Sequence, residues 1–451
     1  MIKEFSSFRD PSGFVYEQNG NIFRQVNNVY KTDYDFLLSS GLYAKLVEKN
    51  FLLPTEETKT PELNAYKTLK IEKLPFISYP YEWCFDEYKD AALLTLKIQK
   101  QALLHKMSLK DASAYNIQFK NGKPIFIDTL SFEKLNEKKP WIAYKQFCQH
   151  FLAPLALMSF TDISLNTLMR NYIDGIPLDL TSSLLPKLTS FGVFSHIKLN
   201  NYFQQKNSHS DKSLNNMSLK KHLILVENLF DTIKQLKLKT KKTLWQNYYN
   251  FTNYDSVAFS DKKEIIKNIY QQIDNLKLVY DLGANDGTFS RIVARDNVQV
   301  LSFDIDPIAV NNNYLYNKQN DYYNILPLLL DLTNPSPAIG WANKERHNLM
   351  NRAQPDMIMA LAIVHHLAIG NNIPFDYIAS YFSQIAQYLL IEFVPKEDSQ
   401  VQSMLCTRSD VYSWYTQVNF EETFLKQYDI LQSVSIKNSQ RIIYLMKRKE
   451  K

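Results

Sequence analysis

Only ten glycines occur in the 451 residues, and two of them stand four positions apart in Leu278-Val-Tyr-Asp281-Leu-Gly283-Ala284-Asn285-Asp286-Gly287. An apolar run that enters a glycine-bearing turn and then a helix brings backbone close to a ligand, and N–H groups at a helix start suit an anionic end such as a carboxylate. Pyrophosphate is disfavoured: a dinucleotide site wants G-x-G-x-x-G, and in that register the second and third glycine positions hold Asn285 and Thr288. Asp304, 21 residues after Gly283, ends the next apolar run, where a carboxylate can accept both hydroxyls of a ribose. Asp306, followed by Pro307 and Ala309, reads as the cap of the following helix. Asp331 ends a third apolar run. After a fourth come His365 and His366, and an imidazole there can take a proton from a hydroxyl or an amine. Either histidine is a candidate base, the alternative for each being packing or capping. Adjacent side chains point apart and no third ligand stands at useful spacing, so no metal is expected.

These residues need a scaffold that lines up strand ends. Apolar runs at Leu276–Asp281, Val298–Asp304, Ile325–Asp331, Met357–Ile363 and Leu389–Val394 alternate with helical stretches such as Gly287–Arg295, the pattern of a parallel α/β sheet. Asp429–Ile436, a polar turn, and Arg441–Met446 read as a terminal antiparallel hairpin. Upstream, Gln204–Asn216 is polar apart from Leu214 and reads as a linker. Met217–Asn250 follows a helical period and ends in the basic run Lys237, Lys239, Lys241 and Lys242, which reads as a bridging helix with a solvated end. The expected organisation is an α+β N-terminal accessory domain over 1–205, linker and helix over 206–254, and the α/β domain over 255–451.

Composition narrows the class. With 45% hydrophobic residues, 22% charged residues, 28 Tyr and 27 Phe, the chain can bury large cores. A net charge of +6 over this length is no nucleic-acid signature. Cys84, Cys148 and Cys406 are far apart and form no CxxC pattern, which favours a reducing, cytoplasmic setting over a disulfide framework or a zinc knuckle. The first ten residues hold four charges and no apolar core, so no secretory leader is expected. Phe151–Phe160 and Met357–Val364 are about half the roughly 20 residues of a membrane span and read as buried core.

In the N-terminal half, Arg9–Arg24 reads as a β-hairpin around Asn19-Gly20. Leu109-Lys-Asp111-Ala-Ser-Ala-Tyr-Asn116, then Asn121-Gly122, then Pro124-Ile-Phe-Ile-Asp128, resembles the spacing of kinase catalytic loops. That resemblance implies a first Asp that positions a hydroxyl and an Asn and second Asp that hold magnesium, which maps to Asp111, Asn116 and Asp128. The chain departs from the pattern at Leu109, where kinases have His, and in Asp128-Thr-Leu-Ser, where the glycine that follows the magnesium-binding Asp is replaced; no Gly-rich nucleotide loop precedes.

The C-terminal pattern resembles class I S-adenosylmethionine methyltransferases, whose sheet is Rossmann-like, seven-stranded and closed by such a hairpin. Over nearly the full length the chain is similar to the bacterial members related to nodulation proteins. The carrying segments are FRDPSG from Phe8, SYPYEW from Ser78, LKDASAYNIQF from Leu109, IDTLSFE from Ile127, QFCQHFLAPLAL from Gln146 and DGIPLDL from Asp174, then DLGANDG from Asp281, NPSPAIGWANKER from Asn334, HHLAIGNNIPF from His365 and EFVPKEDSQV from Glu392. The resemblance implies S-adenosyl-L-methionine as cofactor, held by Asp281, Gly283, Ala284, Asn285, Gly287, Asp304, Ile305, Asp331, Leu332 and Ala360. In it Asp281 and the loop face the amino-acid end, Asp304 the ribose and Asp331 the adenine, while His365 and His366 face the methyl group and Glu392 lines the acceptor pocket. Asn334-Pro335-Ser336-Pro337 stands after the third strand, whereas the N-P-P-[YF] motif of amino-methylating enzymes belongs after the fourth; Asn334–Trp341 with Asn343, Glu345, Arg346 and Arg352 reads as an inserted loop over the site or an ordinary surface loop. The expected acceptor is a small molecule or glycan methylated on O or N. Methylation of protein or RNA, or a non-catalytic binding scaffold, are the rivals; the intact Asp281, Gly283, Gly287 and Asp304 set speaks against a scaffold.

Overall fold

The computed structural model describes residues 2–58, 65–199, 217–238, 256–295, 297–406 and 409–450. The linker expected over 204–216, and Lys239, Lys241 and Lys242 of the basic run, lie outside these residues. The chain folds as two compact units, Met1–Thr240 with Pro337–His347, and Lys241–Ser336 with Asn348–Lys451.

The first unit carries a five-stranded antiparallel sheet of β1 (Ile2–Lys3), β2 (Gly13–Gln18), β3 (Asn21–Val26), β4 (Thr55–Glu57) and β5 (Lys67–Ile71), in the order β1-β2-β3-β5-β4. Asn19 and Gly20, both at positive φ, make the two-residue turn between β2 and β3, as a type I′ hairpin requires. Helices α1 (Lys31–Ser39) and α2 (Leu42–Glu48) separate β3 from β4. The 20-residue α3 (Phe85–Leu104) leads to two short pairs: β6 (Met107–Leu109) with β9 (Phe132–Lys134), and β7 (Ile117–Lys120) with β8 (Lys123–Phe126). The apolar run near Phe151 is core, as its composition implies: Ala153–Phe160 forms α4 and is buried at seven of its eight positions. The helix of the bridging region is α5 (Leu219–Gln235), which buries Val226, Leu229 and Ile233 and packs on α3 within this unit.

The second unit is built on β10 (Leu278–Leu282), β11 (Gln299–Asp304), β12 (Ile325–Leu329), β13 (Met357–Ala360), β14 (Tyr388–Phe393), β15 (Tyr428–Ser435) and β16 (Ile442–Arg448). They pair in the order β12-β11-β10-β13-β14-β16-β15; the first five run parallel and β16 lies antiparallel between β14 and β15. All five positions of β10 are buried, the pattern of a strand covered on both faces. Edge strand β15 alternates instead between covered and exposed positions, because only one of its faces has a neighbour. Helix α6 (Ser256–Gln271) supplies Ala258, Ile266, Ile269 and Tyr270 to a core shared with Val279, Val300, Met359, Leu390 and Ile443. Helices α7 (Thr288–Val293), α8 (Pro307–Gln319) and α9 (Phe375–Ile385) follow β10, β11 and β13 in the chain. This parallel register puts Asp281, Asp304 and Ala360 at one edge, where strand C-termini open a crevice for ligands.

Met359 is fully buried beside Asp281 in that register. Met359→Ala therefore lowers stability by about 2–5 kcal/mol, read from the urea midpoint of the second unit's transition.

Candidate active site

At the end of β10, Gly283 (φ 75°) and Gly287 (φ 77°) both take left-handed backbone, and Asn285 between them also has positive φ. At Gly287 the requirement is steric as well: a Cβ would come within 2.2 Å of the Asn313 side chain. Phe303 O accepts the N–H groups of Gly283 and Ala284, each at 2.9 Å, so the loop is sewn onto the end of β11. Asp304 completes the seam: Oδ2 accepts from Asn285 N at 2.7 Å and Oδ1 from Asp306 N at 2.8 Å.

Asp281 is buried rather than displayed. Its Oδ2 accepts from Ser290 Oγ at 2.6 Å; that hydroxyl shares a second hydrogen bond with Ser302 Oγ, which in turn accepts from Asn313 Nδ2. The carboxylate thus ties β10 to α7 and holds the loop from beneath. The free helix-start N–H groups expected at α7 are in part used internally, since Asp286 Oδ1 accepts from Thr288 N at 3.0 Å. Asp306 caps α8 as its sequence context implied, accepting from Ile308 N and Ala309 N.

Immediately after Asp304, the apolar side chain of Ile305 is 59% exposed at the strand-end crevice. Asp331 follows β12 and accepts from both the N–H and the hydroxyl of Thr333, making a tight turn. Ala360 is the buried last residue of β13. Beyond it Ala362 takes φ 51°, which ends the strand three residues earlier than the apolar run suggests. His365 is fully buried and neither ring nitrogen has a hydrogen-bond partner among the described residues. His366 is partly exposed, and the two rings lie 4.2 Å apart between centroids. Burial holds His366 down to about 4 and His365 well below the ordinary histidine range.

Glu392, at the end of β14, is fully buried in an ion network. Lys262 Nζ of α6 lies 2.5 Å from Oε2 and Arg441 Nη1 3.4 Å from Oε1, while Arg441 also clamps Asp398 through Nε (2.7 Å) and Nη2 (3.1 Å). Lys262 and Arg441 are separated from Glu392 by 130 and 49 residues, so no local pattern marks them.

In the first unit, the fold gathers Asp111, Asn116 and Asp128. Asp111 accepts from Ser113 N (2.9 Å) and Gln146 Nε2 (2.8 Å), while burial first and then the charge of Asp128 push its carboxyl up. Asn116 donates to Ser131 Oγ, and Asp128 pairs at 2.9 Å with Arg24 Nη2, which also reaches Asp10 at 2.6 Å. No motif in the sequence marks Arg24 of β3 for this role. No group of three His, Cys, Asp or Glu side chains among the described residues can hold a metal ion. Of the inserted loop, Pro337–His347 belongs to this unit, where Arg9 pairs with buried Glu345 at 3.0 Å and the Arg346 guanidinium lies 4.2 Å from the Tyr115 ring centroid; Asn334–Ser336 and Arg352 belong to the second unit, where Asn334 N donates to Asp331 O and Ser336 O accepts from Leu349 N.

The seven-stranded order with β16 inserted antiparallel, the glycine loop after the first strand and the acid ending the second define a class I methyltransferase fold. Over 460 residues the chain is 32% identical to the nodulation protein NoeA of Rhizobium meliloti (strain 1021), covering 98% of this chain and 96% of that protein. It belongs to the family of that nodulation protein. No protein-family model matches the chain. Among solved structures it is similar to magnesium protoporphyrin IX methyltransferase (ChlM) from Synechocystis PCC 6803 with bound SAH, at 15% identity over 46% of this chain and 93% of that one, TM-score 0.32. It is also similar to the N-methyltransferase NodS from Bradyrhizobium japonicum WM9, at 8% identity over 44% and 99%, TM-score 0.32. No described helix is long and apolar enough to cross a membrane.

Burial pushes the Asp304 carboxyl up from 3.8 to about 6, against the backbone N–H groups of Asp306, Asn285 and Ile305, which favour its charge. The folded chain holds this proton more tightly than the unfolded chain, so this group's contribution to stability falls as pH rises from 3.8 through about 6. On the reading proposed below, in which Asp304 accepts from ribose hydroxyls as a carboxylate, the dependence runs the other way: affinity for S-adenosylmethionine is expected to drop as pH falls through about 6. Asp304→Asn removes that step and costs about 2 kcal/mol, roughly thirtyfold, at pH 7.5 by calorimetric titration.

Proposed function

We propose that the chain is a cytoplasmic S-adenosylmethionine-dependent methyltransferase acting on an oxygen or nitrogen of a small-molecule or glycan acceptor. The observation that carries this reading is the glycine loop fastened to Asp304 at the strand-end crevice, with an exposed Ile305 beside it. The residues fit the cofactor: left-handed glycine backbone would let the amino-acid end approach, Asp304 would accept from the ribose hydroxyls, and exposed Ile305 with half-buried Leu332 would offer apolar surface to adenine. When bound, S-adenosylmethionine supplies a sulfonium methyl; the acceptor's lone pair forms the new bond to carbon, and the carbon–sulfur pair stays on sulfur.

The chain's own residues have two tasks. Loop and carboxylate set the cofactor so that attack is in line, which by positioning alone supplies most of the rate. His365 or His366, uncharged near neutrality, takes the proton the acceptor loses. A glycan or small-molecule acceptor draws support from membership in the family of a nodulation protein. The three cysteines are unpaired, which suits a reducing compartment.

Calorimetry on the full chain tests the reading: S-adenosylmethionine and S-adenosylhomocysteine should bind at micromolar concentration. Labelled methyl should then pass to an acceptor from a panel of glycans and small molecules, and His365→Ala and His366→Ala should keep cofactor affinity while at least one loses turnover. A folded protein that binds neither ligand would overturn the assignment.

A further inference from the structure

An arginine with no carboxylate partner and a buried Nε without an acceptor is an anomaly, because its N–H donors lose hydration and gain nothing in exchange. The first unit holds two such residues. Arg170, half-buried on the short helix Leu168–Asn171, makes no hydrogen bond and no ion pair with any described residue, and its Nε is buried. Its guanidinium lies 5.6 Å from the Tyr81 ring centroid. Arg346, also half-buried, lies 4.2 Å from the Tyr115 centroid; its Nη1 donates to the carbonyls of Glu345 (2.9 Å) and Ser6 (3.4 Å), but its buried Nε has no partner among the described residues.

Both arginines sit on one aromatic cluster. The rings of Tyr115 and Tyr79 are 6.0 Å apart and those of Tyr79 and Tyr81 5.6 Å, and Tyr115 Oη comes within 3.5 Å of Met169 O, beside Arg170. The cluster is held firmly. Arg346 and Ile339 exchange backbone hydrogen bonds, each 3.1 Å, and His347 N donates to Tyr79 Oη at 2.8 Å. The carboxylates that act on Tyr115 are engaged elsewhere: Glu82 Oε2 accepts from Tyr79 N at 2.8 Å, and Glu345 Oε2 accepts from Arg9 at 3.0 Å and from Trp341 N at 3.1 Å.

We propose that Arg170 and Arg346 form an oxyanion site on this tyrosine cluster and that its ligand is a dianionic phosphate group. The site lies wholly within the first unit and goes beyond the methyl-transfer reading. Aromatic faces explain how two cations are kept in place without acids: a ring attracts a guanidinium through its quadrupole and uses none of its N–H donors, which remain for a ligand. Partial burial strengthens that offer, since a guanidinium already stripped of some water gains more from an anion than a fully hydrated one does. Charge selects among anions. Two guanidiniums without carboxylate partners present two positive charges, which a phosphate monoester with about −1.5 to −2 at pH 7 balances and a carboxylate does not. Geometry agrees, because the planar fork of arginine matches phosphate oxygens in pairs.

Calorimetric titration of inorganic phosphate into the full chain at constant ionic strength tests the site, with acetate as the singly charged comparison. Phosphate should bind at millimolar concentration or below, and acetate should not displace it. Arg170→Gln and Arg346→Gln should each weaken phosphate binding about tenfold or more, as loss of a charge-assisted hydrogen bond does. If both arginines hold the same group, the double variant departs from the product of the single effects. Arg170→Lys and Arg346→Lys keep the charge, stand in should a glutamine variant fail to fold, and should also weaken binding because lysine has no fork. Glycerol 3-phosphate titrated in parallel separates the sources: tighter binding than phosphate identifies an esterified group, weaker binding the free ion, and both support the site. A folded wild-type chain that does not bind phosphate, acetate that binds equally well, or phosphate affinity unchanged in either folded variant would overturn the proposal.

Discussion

The bond from Asn285 N to Asp304 Oδ2 is the constraint on which the rest of the site depends. It joins the loop after the first strand of the sheet to the acid that ends the second, and it exists only because the two strands run parallel with Leu282 level with Phe303. The same peptide segment must turn through left-handed backbone to bring that N–H round, which is why glycines stand at 283 and 287. Asp281 serves this bond from below by locking Ser290, Ser302 and Asn313 into one buried chain of hydrogen bonds, and Asn313 fills the space that a side chain at 287 would need. Three acids at the ends of neighbouring strands therefore have three different duties. Asp281 supports the loop, Asp304 closes it, and Asp331 turns the chain.

Much of this was legible in the sequence because buried parallel strands are nearly unbroken apolar runs. All seven strands fall within a few residues of their expected ranges, and Asn19-Gly20 and Asp306-Pro307 mark a hairpin and a helix cap by local chemistry alone. The largest misfit in length is at β13, where the apolar run continues through Ile363 but the strand stops at Ala360. There backbone geometry at Ala362, not hydrophobicity, sets the end. Pairings over long separations left no signal of comparable strength. Lys262 looks like any helix lysine and Arg441 like a polar residue beside a turn until the sheet brings both to Glu392.

The same limit governs the first unit. The spacing of Asp111, Asn116 and Asp128 resembles a kinase catalytic loop, and the short hairpin of β7 and β8 between Asn116 and Asp128 brings these three side chains together. It could not reveal that Asp128 would be neutralised by Arg24, whose guanidinium bridges it to Asp10. A buried acid needs a counter-charge, and either an ion or a side chain can supply it. Here a side chain does, so spacing that resembles a magnesium site is also the spacing of a self-contained ion network.

Insertion of Pro337–His347 into the first unit has a related physical reading. Glu345 is almost fully buried and would be a severe cost without Arg9, while a Cβ at Gly340 would collide with Glu345 itself. Arg346 adds a guanidinium over Tyr115, and His347 N donates to Tyr79 Oη at 2.8 Å. Partners drawn from widely separated stretches of sequence thus specify one seat for a segment that carries only a single short turn and one isolated bridge, Ile339 to Arg346. Such a segment has too few apolar side chains to hold its own shape, so its conformation is imposed by the unit that receives it. β12 precedes this segment in the chain and β13 follows it, so a stretch that belongs to the first unit is inserted in the sequence between two parallel strands of the second unit's sheet.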